Sequence, residues 1–149
     1  MTGSDVAGGD VTVSDVAGSE GVDSGRSPGP FPCVCCGYLV LAEGPGSHEI
    51  CPVCRWEDDL VQLRWPAYDG GANRPSLVEA QRTYAELGAS TEVRVAHARG
   101  PAEAEAREPG WRPVDLGRDD FEEPGVSERP WPDDRRVLYW WRESYWRRG

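Results

Sequence analysis

Four cysteines constrain this chain more than any other feature. Cys33 and Cys36 form one Cys-x-x-Cys pair, and Cys51 and Cys54 form a second. A two-residue gap lets both thiolates of a pair face one cation, and two such turns complete a tetrahedron around zinc with Zn–S near 2.3 Å, roughly. The 14 residues from Gly37 to Ile50 separate the pairs. That falls just short of the roughly 15–20 seen between paired zinc turns, but it leaves room for a β-hairpin. The expectation is one structural Zn²⁺ per chain, held by Cys33, Cys36, Cys51 and Cys54.

Composition limits what else the chain can build. Of 149 residues, only 38% are hydrophobic, and 18 are Gly and 13 Pro. A small core with a metal staple suits such a budget of apolar side chains. The formal net charge is −10. Duplex DNA repels that surface, because non-specific binding rests on Lys and Arg contacts to phosphate. No run approaches the roughly 18 apolar residues needed to span a bilayer. The start, Met1-Thr2-Gly3-Ser4-Asp5, lacks a basic and apolar leader. Five cysteines without such a leader point to a reducing, cytoplasmic setting and to metal ligation rather than disulfides.

Four segments follow from the pattern. Residues 1–30 hold no aromatic residue except at the boundary beyond them, and Ser4-Asp5-Val6-Ala7-Gly8 returns as Ser14-Asp15-Val16-Ala17-Gly18; this is expected to be a disordered tail. Residues 31–98 form the expected metal-binding domain. Tyr38-Leu39-Val40-Leu41 is a short β-rich run, Gly44-Pro45-Gly46-Ser47 a turn, and His48-Glu49-Ile50 a second strand, giving turn, strand, turn, strand, turn as in a zinc ribbon. Ser76 with Glu79 forms a capping box, Leu77, Ala80, Tyr84 and Leu87 share a face, and Gly88 is placed to stop a helix over 77–87. Val93 and Val95 alternate as in a short strand. Residues 99–110 read as a linker. Residues 111–149 read as a Trp- and Arg-rich extension packed on the domain, with Val137–Trp141 as a strand or, through Val137, Trp141 and Tyr145, a helix. The fold class is therefore α+β: a small zinc-ribbon-like β-hairpin domain with one capped helix and a Trp-rich C-terminal extension.

Three ordered motifs in residues 31–89 carry a resemblance. They are Pro32-Cys33-Val34-Cys35-Cys36-Gly37-Tyr38, then Glu49-Ile50-Cys51-Pro52-Val53-Cys54 with Trp56-Glu57-Asp58-Asp59, then Gly70-Gly71-Ala72-Asn73 with Ser76-Leu77 and Glu79-Ala80. Together they resemble the bacterial cysteine-rich CPCC family. The chain departs from the name motif at Val34, where the family carries proline. The resemblance implies a small intracellular zinc-binding protein and assigns no activity.

Other residues offer further chemistry. Cys35 sits between two ligands, where it is a spare thiol or a substitute ligand. His48, three residues before Cys51, is a replacement ligand, a proton shuttle or an ordinary surface histidine; His97 reads as structural. Glu57-Asp58-Asp59 could bind Mg²⁺ or act as general bases, which with His48 would make a metal-dependent hydrolase or nuclease. Against that, four cysteines saturate zinc and leave no position for water. The simpler reading makes Asp58 or Asp59 a cap on a neighbouring element. Asn73 is expected to orient its own loop. The arginines and aromatic residues of 135–148 could stack single-stranded bases, or close the core and meet a protein. The leading functional expectation is a non-enzymatic binding or adaptor module with a protein partner.

Overall fold

A computed structural model describes residues 29–147. The expected tail, residues 1–30, lies outside the described residues apart from Gly29 and Pro30. The architecture is α+β and zinc-ribbon-like, and it is built from two cysteine turns made alike. In the first, the Cys33 N–H donates to Tyr38 O (3.0 Å) and the Gly37 N–H to Cys33 O (2.6 Å). In the second, the Cys51 N–H donates to Trp56 O (2.9 Å) and the Arg55 N–H to Cys51 O (2.8 Å). The residue after the last cysteine takes positive φ in both, 85° at Gly37 and 72° at Arg55.

Each turn closes its own small hairpin. Strand β1 (Phe31–Pro32) pairs antiparallel with β2 (Leu39–Leu41), with Phe31 opposite Leu41 and Pro32 opposite Leu39. Ile50 bridges Glu57 across the second turn. The expected hairpin between the two cysteine pairs is therefore displaced: 39–41 pairs backward with 31–32, and Ile50 pairs forward. The reason lies in residues 42–47. The Ala42 N–H donates to the Glu49 carboxylate (3.0 Å), and the Gly46 and Ser47 N–H groups donate to Asp58 (2.6 and 2.8 Å). Carboxylates thus satisfy donors that a strand ladder would otherwise take up.

Two helices flank the turns. Helix α1 (Leu60–Arg64) was not signalled by periodicity; Asp59 caps it, its Oδ1 accepting from the Val61 N–H at 2.8 Å. Pro66 follows closely and cannot continue a helix. Helix α2 spans Leu77–Leu87 with both halves of the Ser76/Glu79 capping box made, and Gly88 ends it at φ 81°. Its buried face is Leu77, Ala80 and Gln81, whereas Leu87 is exposed. Gln81 earns its place by bridging: its Nε2 donates to Val34 O (3.0 Å) and its Oε1 accepts from the Val114 N–H (2.9 Å).

Both expected late strands are 3-10 turns instead. Glu92–His97 is one, and Val93 is 84% exposed there, so no face exists for alternating valines to bury. Arg135–Leu138 is the other, capped by Asp134. Leu138, Tyr139 and Trp140 are buried in succession, a pattern that neither a strand nor a helix on a single core face would produce.

The cysteines and the aromatic tail share one core. Cys33, Cys36, Cys51 and Cys54 cluster with Trp56, Leu63, Leu77, Leu138, Tyr139, Trp140 and Tyr145. Residues 99–110, linker-like in composition, make backbone bonds to both turns: Arg99 N–H to Val53 O (3.1 Å), Leu39 N–H to Ala106 O (2.9 Å) and Glu108 N–H to Gly37 O (2.9 Å). Farther on, Arg64 and Glu122 form an ion pair at 2.7 Å with both side chains 1% exposed. The Arg64 guanidinium lies over Trp65, Trp131 and Trp146, 4.6 to 4.8 Å from their centroids. Among the described residues no helix is long and apolar enough to cross a membrane.

Candidate metal centre

The two turns bring four sulfurs together. The Sγ atoms of Cys33, Cys36, Cys51 and Cys54 all lie within 4.8 Å of one another. Two of the separations run across the turns, Cys33 to Cys54 at 3.6 Å and Cys36 to Cys51 at 3.8 Å. A tetrahedron with metal–sulfur bonds near 2.3 Å has edges of about 3.8 Å. The two cross-turn separations match that edge, and all four donors lie close enough together to share a single ion. All four cysteines are 0–1% exposed.

Electrostatics make the same point. Hydrogen bonds from the Cys33 thiol, then from Cys36 and Cys54, pull Cys51 far below the ordinary thiol range. Burial, reinforced by neighbouring sulfurs, pushes Cys33 and Cys54 well above it. One thiolate can be held by its neighbours' S–H groups, but further thiolates in the same buried space repel it. A divalent cation removes that conflict by neutralising the sulfurs together. The Cys54 N–H also approaches the Cys51 Sγ at 3.5 Å. The donor set and its geometry fit a metal site.

Cys35 stays outside the four-sulfur group, although it is buried beside it. Burial raises its pKa, keeping it a neutral thiol. Its counterpart in the second turn is Val53, equally buried. At the neighbouring position, Val34 is buried and its carbonyl is held by Gln81.

The acidic residues after the second turn do not converge on the sulfurs or on one another's task. Asp58 Oδ2 accepts from the Gly46 and Ser47 N–H groups and from the Ser47 hydroxyl. Burial raises the Asp58 pKa, with these bonds opposing the rise. Asp59 caps α1 through Oδ1 and accepts from the Ala72 N–H through Oδ2 (2.6 Å). Glu57 pairs with exposed His48, Oε2 to Nδ1 at 3.3 Å. His97 lies exposed in a 3-10 turn.

Asn73 does more than shape its own loop. Its Oδ1 accepts from the Glu57 N–H (3.0 Å) and its Nδ2 donates to Glu57 O (2.8 Å), so it mimics a strand partner at the exit of the second turn. Gln62 completes this junction, donating through Nε2 to the carbonyls of Tyr68, Asn73 and Pro75. Sequence reasoning missed Gln62, Gln81 and Arg64. A polar or charged residue within an apolar helical stretch, as Gln62 between Val61 and Leu63, was the available signal.

The tail's cations are largely engaged. Arg142 binds Glu108 (2.6 Å), Arg136 binds Asp134 (2.8 Å), and Arg147 lies against Asp120 and Glu128 (3.2 and 3.0 Å). Its aromatic rings pack on each other: Tyr139 stacks on Trp141 at 4.9 Å, and Trp140 meets Trp141 edge-on at 4.8 Å.

Comparison with known proteins agrees with this geometry. No curated protein matches the chain. Residues 31–105 match the family model described as cysteine-rich CPCC, which spans both cysteine turns, α1, α2 and the first 3-10 turn. This chain, with its buried cluster of four cysteines placed to hold a metal ion, belongs to the cysteine-rich CPCC family.

Proposed function

We propose that this protein is a zinc-stabilised binding or adaptor module whose single Zn²⁺, held by Cys33, Cys36, Cys51 and Cys54, supplies folding energy rather than catalysis. The observation that carries the reading is the closed cluster: four buried sulfurs at tetrahedral spacing. An all-sulfur tetrahedral set suits zinc, and with every ligand from protein no position is left for a substrate or a water. When bound, zinc would join two turns that share few other covalent or backbone ties, and its charge would settle the thiolates.

The carboxylates support binding over turnover. A hydrolase needs some of Glu57, Asp58 and Asp59 to face a common substrate, whereas Asp58 and Asp59 are occupied with backbone donors. The tail favours a protein partner over a nucleic acid, because Tyr139, Trp140 and Trp141 contact one another and Arg136, Arg142 and Arg147 face carboxylates. Five free cysteines suit a reducing, cytoplasmic compartment.

The test pairs composition with activity. Purified protein should carry close to one zinc per chain. It should show no nuclease, phosphatase or peptidase turnover with added Mg²⁺ or Mn²⁺. Turnover that is present in the native protein and absent when Glu57, Asp58 and Asp59 are changed together to Ala would overturn the binding-module reading.

A further inference from the structure

The two cysteine turns share a second likeness beyond their ligands. In each, the last two carbonyls are taken by one arginine and one backbone amide. In the first turn, Cys36 O accepts from Arg107 Nε at 2.8 Å, and Gly37 O accepts from the Glu108 N–H at 2.9 Å. In the second, Cys54 O accepts from the Ser90 N–H at 2.7 Å, and Arg55 O accepts from Arg94 Nη1 at 2.8 Å. The pairs occupy the same two carbonyls with the order exchanged.

Among the described residues, Arg94 and Arg107 make no ion pair with a carboxylate, in a chain of net charge −10. Arg107 is also positioned by rings, its guanidinium 4.8 Å from the centroid of Tyr38 and 5.3 Å from that of Trp111. A zinc tetrathiolate carries a net charge of about −2. Two guanidinium groups on the peptides that carry its ligands are favourably placed for that charge. Arg107 is exposed and Arg94 half-buried, so water screens both, and their larger effect is on peptide geometry.

We propose that Arg94 and Arg107 are positioning residues of the metal centre: each pins the peptide leaving one cysteine turn, and together they slow metal release. Groups that orient ligands from outside the coordination sphere commonly change metal affinity by about 10–100-fold. The inference rests on the four-cysteine reading of the site. It also divides the work unevenly along the chain. Arg94 lies inside the family-matched residues 31–105, whereas Arg107 and Glu108 lie just beyond them. The Glu108 carboxylate in turn holds Trp141 and Arg142, which ties the first turn to the aromatic tail. Part of the apparatus that retains the metal thus comes from residues beyond the family match.

The test is the rate at which zinc-loaded protein gives up its metal to an excess of a chromophoric chelator. Arg94→Gln and Arg107→Gln should each release zinc about 10-fold faster than the wild type. Arg82→Gln, the same charge change on the exposed side of α2, should match the wild type. Cobalt(II)-loaded variants should keep the wild-type thiolate-to-metal absorption, which shows that all four sulfurs still bind and that the change is kinetic. Arg107→Lys, which keeps the charge, should fall between wild type and Arg107→Gln; it serves in place of the latter if that variant does not fold. Release no faster than in Arg82→Gln would overturn the assignment for whichever arginine showed it. Those outcomes leave the four-cysteine site standing. A wild-type protein that takes up neither zinc nor cobalt would instead overturn the site itself.

Discussion

The first cysteine turn and the second have the same backbone and reach the positive-φ residue at its end by different means. Both put the residue after the last cysteine at positive φ, but the first uses Gly37 and the second Arg55. At Gly37 a side chain has no room, since a Cβ there would sit 2.5 Å from Trp111 Cδ2. Arg55 tolerates a conformation that costs a non-glycine residue about 1–2 kcal/mol. It is over-determined from three sides: its N–H bonds Cys51 O, its carbonyl receives Arg94, and Asn73 fixes Glu57 two residues on. The first turn is shaped by its sequence and covered by rings and a helix. The second is shaped by what surrounds it.

Removing a ligand should erase this difference, and it is the largest effect expected. Cys33→Ser and Cys51→Ser should both lose the metal and the cooperative fold, because apparent zinc binding energies in small structural sites reach about 10–16 kcal/mol. Metal content and a thermal melt check this. A variant of either turn that kept its metal would break the symmetry of the account.

Gly37→Ala should separate the turns. It adds overpacking against Trp111, about 1–3 kcal/mol, to the positive-φ penalty of about 1–2 kcal/mol. Chemical denaturation of the metal-loaded protein should show that loss, and a cost below about 1 kcal/mol would mean that Trp111 moves aside freely.

Ser76→Ala should cost about 0.5–2 kcal/mol through the lost cap. Because α2 carries Gln81 to Val34 O, the loss should loosen the first turn more than the second. Amide exchange at Cys36 and Gly37, compared with Cys54 and Arg55, measures it. Equal acceleration at both would mean that α2 does not discriminate between them.

Cys35→Val installs in the first turn the residue that Val53 provides in the second. A hydrophobic replacement of this kind should cost under about 1.5 kcal/mol and leave metal content unchanged. Loss of the metal would make Cys35 a ligand.

Arg55→Gly is the smallest effect and has the opposite sign. It should stabilise by roughly 0.5–1 kcal/mol, the positive-φ relief being partly offset by glycine's greater freedom when unfolded. A destabilised Arg55→Gly would show that the Arg55 side chain contributes contacts of its own.

The parts legible in the sequence are those coded within a few residues. The cysteine spacing, Ser76 with Glu79, and Gly88 are local signals, and the corresponding turns and helix α2 follow them. The hairpins were misplaced because a strand does not name its partner: Leu39–Leu41 could pair with residues on either side, and the carboxylates of Glu49 and Asp58 decide against the later ones. Helix α1 has a cap and a stop but only five residues, too few for a period to show. The Arg64–Glu122 pair joins residues 58 apart, and Arg94 and Arg107 act on carbonyls 39 and 71 residues distant. Contacts of that kind depend on the finished fold, so Arg64, Arg94 and Arg107 are less readable in the sequence than the four cysteines.

A closed site of four thiolates around one zinc has a direct spectroscopic signature. X-ray absorption at the zinc edge of the purified protein measures this directly. The account predicts four sulfur neighbours at about 2.3 Å and no nitrogen or oxygen in the coordination shell. A shell with three sulfurs and a nitrogen or oxygen would contradict it, because it would mean that a histidine, a carboxylate or water enters a site which the geometry of Cys33, Cys36, Cys51 and Cys54 assigns to sulfur alone.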